Sequence, residues 1–385
     1  VELRAVLACA VAFAVAAIAT PLAARLARRI GAVDTIKERG LAVEATPLLG
    51  GLAIFAGVII ASTLLLPDGS KTGAIIAGAA LITAVGAVDD AVDLPPAVKL
   101  MGQVAAALVL VLNGVTVNVI TVPFLHHVNL GDSGGPITVI GLVFLMNVVN
   151  FSDGIDGLAA GVCAISAAAF SIIAFDLGRD SAAILAAITC GAALGFLLHN
   201  FHPASVFMGD CGSNLLGLLL GAIIVEGTLK TNALIALVGP LVALAVPFLD
   251  TGFVIAKRLK YGRPVYEADS NHFHHRFHRI GFSQRRTVLY LYGWTLTMAG
   301  IAIALRFIPY SYPSGRLRPG WAALMAVLLV AGIATSLYLV YVLEILKLRR
   351  LRAWQLRRTE PDTSEHEIDE AVRRELETGE FTTLT

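Results

Sequence analysis

Acidic, amide and imidazole side chains gather in four short stretches of this chain, and each stretch has residue types suited to holding a polyanion. The first is VDDAVDLPPAVKL, residues 88–100, where the adjacent carboxylates Asp89 and Asp90 are followed by Asp93 and Lys99. Such carboxylates can take a proton or hold a hard cation, and magnesium commonly joins one or two carboxylates to phosphate oxygens. The second is NVVNFSDGIDGLAAG, residues 147–161. Asn147 and Asn150 are three apart and share one helix face, with Asp153 and Asp156 just beyond. Gly154 and Gly157 let the chain bend and let a ligand approach the backbone. A helix starting there would aim its N-terminal N–H groups at an anion. An EF-hand is excluded, because its spacing and downstream glutamate are missing.

The third stretch, HNFHPASVFMGDCGSNLLG, residues 199–217, sets His199, Asn200, His202, Phe207 and Asp210 before an apolar run. Asp210 there can stabilise a helix N-terminus or hold a metal that faces a phosphate. The fourth, DSNHFHHRFHR, residues 269–279, has four histidines and two arginines in eleven residues. Imidazole and guanidinium donors suit phosphate oxygens, and Arg276 can bind one in bidentate fashion. His274 and His278 also have the spacing of a zinc or nickel pair, but no cysteine or paired acid completes such a site. Each stretch alone also has a plain structural reading: helix caps, a turn, interfacial imidazoles, or a basic loop on anionic lipid.

The elements that must position these residues are membrane spans. The chain has 385 residues, 57% of them hydrophobic and 15% charged, with a mean hydropathy of +0.77. A soluble domain carries about 25% charged residues, and this much apolar surface needs a bilayer. The net charge of +1 makes no case for nucleic acid as a partner. A bilayer core takes roughly 20 apolar residues of helix. Eleven runs qualify as candidates: 3–24, 48–66, 72–88, 97–113, 135–150, 157–175, 181–198, 211–228, 232–256, 287–308 and 320–345. The first is read as a retained span and not a signal peptide, since similar segments follow it. The fold class is therefore an all-α polytopic integral membrane protein with about 10–11 transmembrane helices.

With the N-terminus outside, 22 of the 29 lysines and arginines fall in inside loops or the tail, including Arg25, Arg28, Arg29 and Lys99. This orientation brings all four polar stretches to the inside face, where one active site can be assembled from helix ends. Residues 114–131 alternate β-branched and polar types, which predicts a short β-hairpin outside. The four cysteines form no CxxC pair, so neither a disulfide framework nor a zinc knuckle is read. The division is a transmembrane catalytic domain, 1–345, and a charged cytoplasmic tail, 346–385.

Five blocks together resemble the polyprenyl-phosphate N-acetylhexosamine-1-phosphate transferase family: TPLLGG (46–51), VDDAVDLPPAVKL, NVVNFSDGIDGLAAG, FMGDCGS (207–213) and ADSNHFHHRF (268–277). Each is modest alone, but five in order are specific. The resemblance implies a magnesium-dependent reaction, with manganese as a substitute, in which a lipid phosphate attacks the β-phosphorus of a UDP-sugar and UMP leaves. It implies Asp89 and Asp90 as the acidic pair at the reaction centre, Lys99 facing the phosphates, and Asp210 as the main metal ligand with Asn150 close by. Asn147, Asp153, Asp156, Asn200, Phe207 and Asp269 are carried over as substrate-binding positions, and His272, His274, His275 and Arg276 as the loop over the diphosphate. The His-Phe-His-His-Arg form is similar to the branch that uses UDP-N-acetylglucosamine, while the muramoyl-pentapeptide branch resembles His-His-His.

The expected function is transfer of N-acetylglucosamine-1-phosphate to a polyprenyl phosphate (undecaprenyl or decaprenyl) at the inside face of the cytoplasmic membrane. The alternatives are the muramoyl-pentapeptide reaction and, from another class, a secondary transporter, which would place its charges near mid-bilayer. Expected partners are a UDP-sugar, the polyprenyl phosphate lipid, the membrane and a second copy of the chain in a homodimer.

Overall fold

Ten long apolar or near-apolar segments are helical in the computed structural model, which describes residues 2–34, 46–67, 69–122, 126–227, 283–309 and 317–341, with Tyr312 and Glu370. In chain order they are α1 (Glu2–Ile30), α2 (Gly50–Leu65), α3 (Ser70–Val92), α4 (Pro96–Leu112) and α5 (Gly134–Ser152). Then come α6 (Leu158–Asp176), α7 (Asp180–Asn200), α8 (Gly209–Gly227), α9 (Gln284–Phe307) and α10 (Pro319–Tyr341). Eight are long and apolar enough to cross a bilayer, while α2 and α4 are shorter apolar helices of 16 and 17 residues. The protein is an all-α, multi-pass membrane protein. The run at 232–256, the histidine-rich stretch at 269–279 and the tail apart from Glu370 lie outside the described residues.

Two short antiparallel strand pairs accompany the helices. Val33–Asp34 (β1) pairs with Thr46–Pro47 (β2), and Val119–Val122 (β3) pairs with His126–Asn129 (β4).

The packing centres on α8, which is buried along nearly its whole length and touches α2, α3, α5, α6 and α7. Without a hydrophobic drive between helices in lipid, close contact depends on small residues. Gly217 of α8 faces the backbone of Met146, and Gly221 faces Leu142, so α5 lies directly against α8. A side chain at Gly86 of α3 would collide with the backbone of Cys211, and one at Gly51 of α2 with the backbone of Gly212. These two approaches bring the site-bearing end of α3 and the TPLLGG block onto the first turn of α8. A second seam joins α1 to α7: Ala8, Ala12 and Ala16 are fully buried four residues apart, and Gly191 and Gly195 meet the carbonyls of Cys9 and Phe13.

Outward faces are apolar where lipid would be the solvent, as at Leu3, Val6, Ile18 and Leu22 of α1 and Val327, Val330 and Ile333 of α10. At the end of the bundle opposite the polar stretches, Lys71 at the start of α3 pairs with Glu226 at the end of α8 at 2.9 Å, and Arg306 pairs with Asp176 at 2.5 Å.

Candidate active site

Helix direction decides which residues can meet. α3, α5 and α7 end where α4, α6 and α8 begin, so Asp89, Asp90, Lys99, Asn150, Asp153, Asp156, Asn200 and Asp210 all lie at one end of the bundle. Three helices and one lysine build the centre. Lys99, in the first turn of α4, puts Nζ 2.7 Å from Asp89 Oδ2 and 3.5 Å from Asp210 Oδ2, with Asp93 at 3.8 Å. Asn150, in the last turn of α5, donates through Nδ2 to Asp210 Oδ1 at 2.8 Å and to Ser213 Oγ at 2.9 Å. Asp89 is 6% exposed, and its Oδ1 accepts the Leu94 N–H at 2.8 Å, which fixes the carboxylate against the turn after α3.

Asp90 does something different from its neighbour. Its Oδ1 accepts the backbone N–H of Asp210 at 2.7 Å and its Oδ2 that of Cys211 at 3.2 Å. It therefore caps α8 from another helix, satisfying two of the N–H groups that a helix start leaves open. Gly209 turns the chain into α8 at φ +71°, and a side chain there would run into the Asp90 carboxylate. This cap occupies the α8 N-terminus, so Asp90 supports Asp210 while Asp89 and Asp210 face Lys99.

Several polar positions in the connecting loops are engaged with each other. Asp156 Oδ2 accepts from His202 Nδ1 at 2.7 Å and from the Ala204 N–H at 3.0 Å. Asn200, 2% exposed, accepts the Gly157 N–H through Oδ1 and donates to the Val206 carbonyl, both at 3.0 Å. Its amide thus locks the α5–α6 loop to the α7–α8 loop, and the Gly157 N–H at the start of α6 is already satisfied. His199 Nε2 donates to the Ala17 carbonyl at 3.0 Å, a contact to α1 away from the carboxylates. Phe207 is held by its backbone: its N–H donates to the Pro47 carbonyl at 2.9 Å, and its carbonyl accepts the Gly50 N–H at 3.0 Å. The TPLLGG block is thus a clamp on the segment leading into Asp210. Burial of the Asp153 carboxyl, then the charges of Asp210, Asp90 and Asp156, push its pKa up to about 8. Asp269, His272, His274, His275 and Arg276 lie outside the described residues.

Beside this centre, a groove of about 430 Å³ opens between α4 and α5. Its walls are apolar, from residues such as Leu100, Val104, Val143 and Val148, and Asn147 is its one polar lining residue among those described. Behind Asn147 runs a buried amide chain that a search for ionisable residues at span ends passes over. Asn147 Nδ2 donates to Gln103 Oε1, and Gln103 Nε2 donates to Asn214 Oδ1, both at 2.8 Å. Asn214 Nδ2 then donates to the Asp210 carbonyl at 2.9 Å. A lone amide inside an apolar run, as at Gln103 in 97–113 or Asn214 in 211–228, was the available signal.

The residues present suit a magnesium ion. Asp210 could supply hard carboxylate oxygens and Asn150 its amide oxygen, with Asp210 Oδ2 3.5 Å from Lys99 Nζ. Among the described residues, no group of three or more histidine, cysteine, aspartate or glutamate side chains converges as a metal cage. Magnesium commonly binds one or two carboxylates and completes its shell with water and substrate phosphates.

The chain's relatives carry consistent names. A family model described as glycosyl transferase family 4 matches residues 72–228. A Bacillus subtilis protein named probable undecaprenyl-phosphate N-acetylglucosaminyl 1-phosphate transferase is 36% identical over 307 residues, covering 78% of this chain and 85% of the relative. The decaprenyl-phosphate N-acetylglucosaminephosphotransferase of Mycobacterium leprae is 36% identical over 349 residues, 82% of this chain and 86% of its own. A phospho-N-acetylmuramoyl-pentapeptide-transferase of Moorella thermoacetica is 33% identical over 298 residues, 71% and 89% of the two chains.

Proposed function

Because the chain belongs to glycosyl transferase family 4, among the polyprenyl-phosphate N-acetylglucosamine-1-phosphate transferases, we propose that it moves N-acetylglucosamine-1-phosphate from UDP-N-acetylglucosamine to a polyprenyl phosphate, releasing UMP. The observation that carries this reading is the junction at Lys99, where Asp89 and Asp210 face one lysine next to an apolar groove. An isoprenoid tail fits the groove, and its phosphate, one helix turn away, reaches the charged centre. The Bacillus subtilis and Mycobacterium leprae relatives, named for N-acetylglucosamine, are 36% identical over 307 and 349 residues, against 33% over 298 for the pentapeptide relative, which supports the smaller sugar.

Phosphoryl transfer asks mainly for positioning and charge neutralisation. Two anions must meet here, a lipid phosphate and a nucleotide diphosphate. Lys99 offsets their repulsion from one side. Asp210 and Asn150 would hold magnesium, or manganese in its place, which when bound neutralises phosphate charge and aligns the diphosphate. Asp89 has only one backbone N–H to satisfy, against two for Asp90, and is the group assigned to take the proton of the lipid phosphate. Asp90 positions Asp210. Asp156, Asn200 and Phe207 shape the loop wall where the nucleotide approaches, and Asp269, His272, His274, His275 and Arg276 are assigned to the diphosphate side by sequence. The site end is placed at the cytoplasmic face of the inner membrane, where UDP-sugars are dissolved. The basic end of α1, with Arg25, Arg28 and Arg29, lies at this same end.

The test is a substrate panel. Purified protein with magnesium, polyprenyl phosphate and each of several UDP-sugars is assayed for UMP, and the lipid product is weighed by mass spectrometry. The expected product is polyprenyl-diphospho-N-acetylglucosamine. UMP release only with the muramoyl-pentapeptide nucleotide, or none with any UDP-sugar, would overturn the reading.

A further inference from the structure

The amide chain between the groove and Asp210 has a fixed polarity. The Asp210 carbonyl can only accept, so Asn214 must turn Nδ2 toward it and Oδ1 toward Gln103. Gln103 must then turn Nε2 toward Asn214 and Oε1 toward Asn147. A second backbone anchor agrees from the other end, since Asn147 Nδ2 also donates to the Val143 carbonyl at 2.8 Å. Both N–H groups of Asn147 are therefore spent within the protein, one on α4 and one on its own helix, and they tie the α5 wall of the groove to the α4 wall. Gln103 and Asn214 are each 6% exposed, and their amides join α4, α5 and α8 beside the groove. Burying amides is costly unless every partner is present, yet this chain is complete from one helix backbone to another.

We propose that Gln103 and Asn214 are positioning residues for the lipid acceptor, holding Asn147, and with it the α5 wall of the groove, in one orientation against α4. The proposal rests on the function given above, which assigns the groove to the isoprenoid tail. A purely structural pin would weaken the fold and both substrates alike. A positioning device at the groove acts on the lipid.

Steady-state kinetics on the full-length protein, varying polyprenyl phosphate and UDP-N-acetylglucosamine separately, tests this. Gln103→Met is expected to raise KM for the lipid by about tenfold, the scale of one lost buried hydrogen-bonding partner, with KM for the UDP-sugar unchanged. The Asn147→Leu and Gln103→Met double variant is expected to match the worse single variant. Thermal unfolding of each variant accompanies the kinetics. Equal changes in both KM values or an unchanged lipid KM would overturn the proposal. A wild-type protein that turns over no UDP-sugar would instead defeat the proposed function itself.

Discussion

Asp210→Asn is expected to cut turnover by on the order of 10³-fold, the scale seen when one preorganised electrostatic contact is removed, while the protein stays folded. Asparagine has nearly the same shape and keeps an oxygen for the Asn150 Nδ2 that now reaches Asp210 Oδ1 at 2.8 Å. Lys99 keeps its closer partner, Asp89 at 2.7 Å. The backbone N–H of residue 210 stays capped by Asp90, and the carbonyl of residue 210 still accepts from Asn214. What is lost is the charge, together with the carboxylate oxygen 3.5 Å from Lys99 Nζ. UMP release measured across a magnesium titration, alongside the unfolding temperature in detergent, checks this. A wild-type rate at any magnesium concentration would remove Asp210 from the proposed metal site.

The second large effect separates two adjacent carboxylates. Asp90→Ala is expected to lower stability by about 1–2 kcal/mol, the cost of deleting a helix cap, and to lose activity as a consequence. It strips the acceptors from the N–H groups of Asp210 and Cys211, and Cys211 is fully buried. Asp89→Asn is expected to do the reverse. Its amide oxygen can still accept the Leu94 N–H, and Lys99, with about a third of its side chain exposed, retains Asp210 and water. Turnover should fall by roughly 10²-fold, as for a lost general base, with little change in the unfolding temperature. Unfolding curves and initial rates for both variants decide it. A destabilised Asp89→Asn beside an unshifted Asp90→Ala would contradict the division of roles.

Much of the fold was legible because lipid demands long apolar helices, and apolar runs of that length have few other readings. The runs at 48–66 and 97–113 correspond to helices that begin at Gly50 and Pro96, close to where glycine and proline punctuate the sequence. The clustering of charge at span ends was legible for the same reason, since such side chains are costly at mid-bilayer. Treating Asp89 and Asp90 as one pair was the weaker inference. Consecutive residues on a helix do not share a face, and here one meets α4 while the other meets α8.

The loop contacts of Asn200 and Asp156 could not be read, because each depends on two distant loops meeting. Nor could the Gln103 relay, whose partners come within reach only because Gly217 lets α5 lie on α8. The partners of the two helix starts were hidden for a related reason. Asn200 takes the Gly157 N–H, and Asp90 takes the first N–H groups of α8.

The fate of the β-phosphorus tests the central claim most directly. UDP-N-acetylglucosamine labelled in its β-phosphate is incubated with the wild-type protein, magnesium and polyprenyl phosphate, and lipid and aqueous phases are separated. The label is predicted to enter the lipid phase together with the sugar, mole for mole, with unlabelled UMP in the water. Label left in the water as UDP while the sugar alone enters the lipid would mean ordinary sugar transfer and contradict the account.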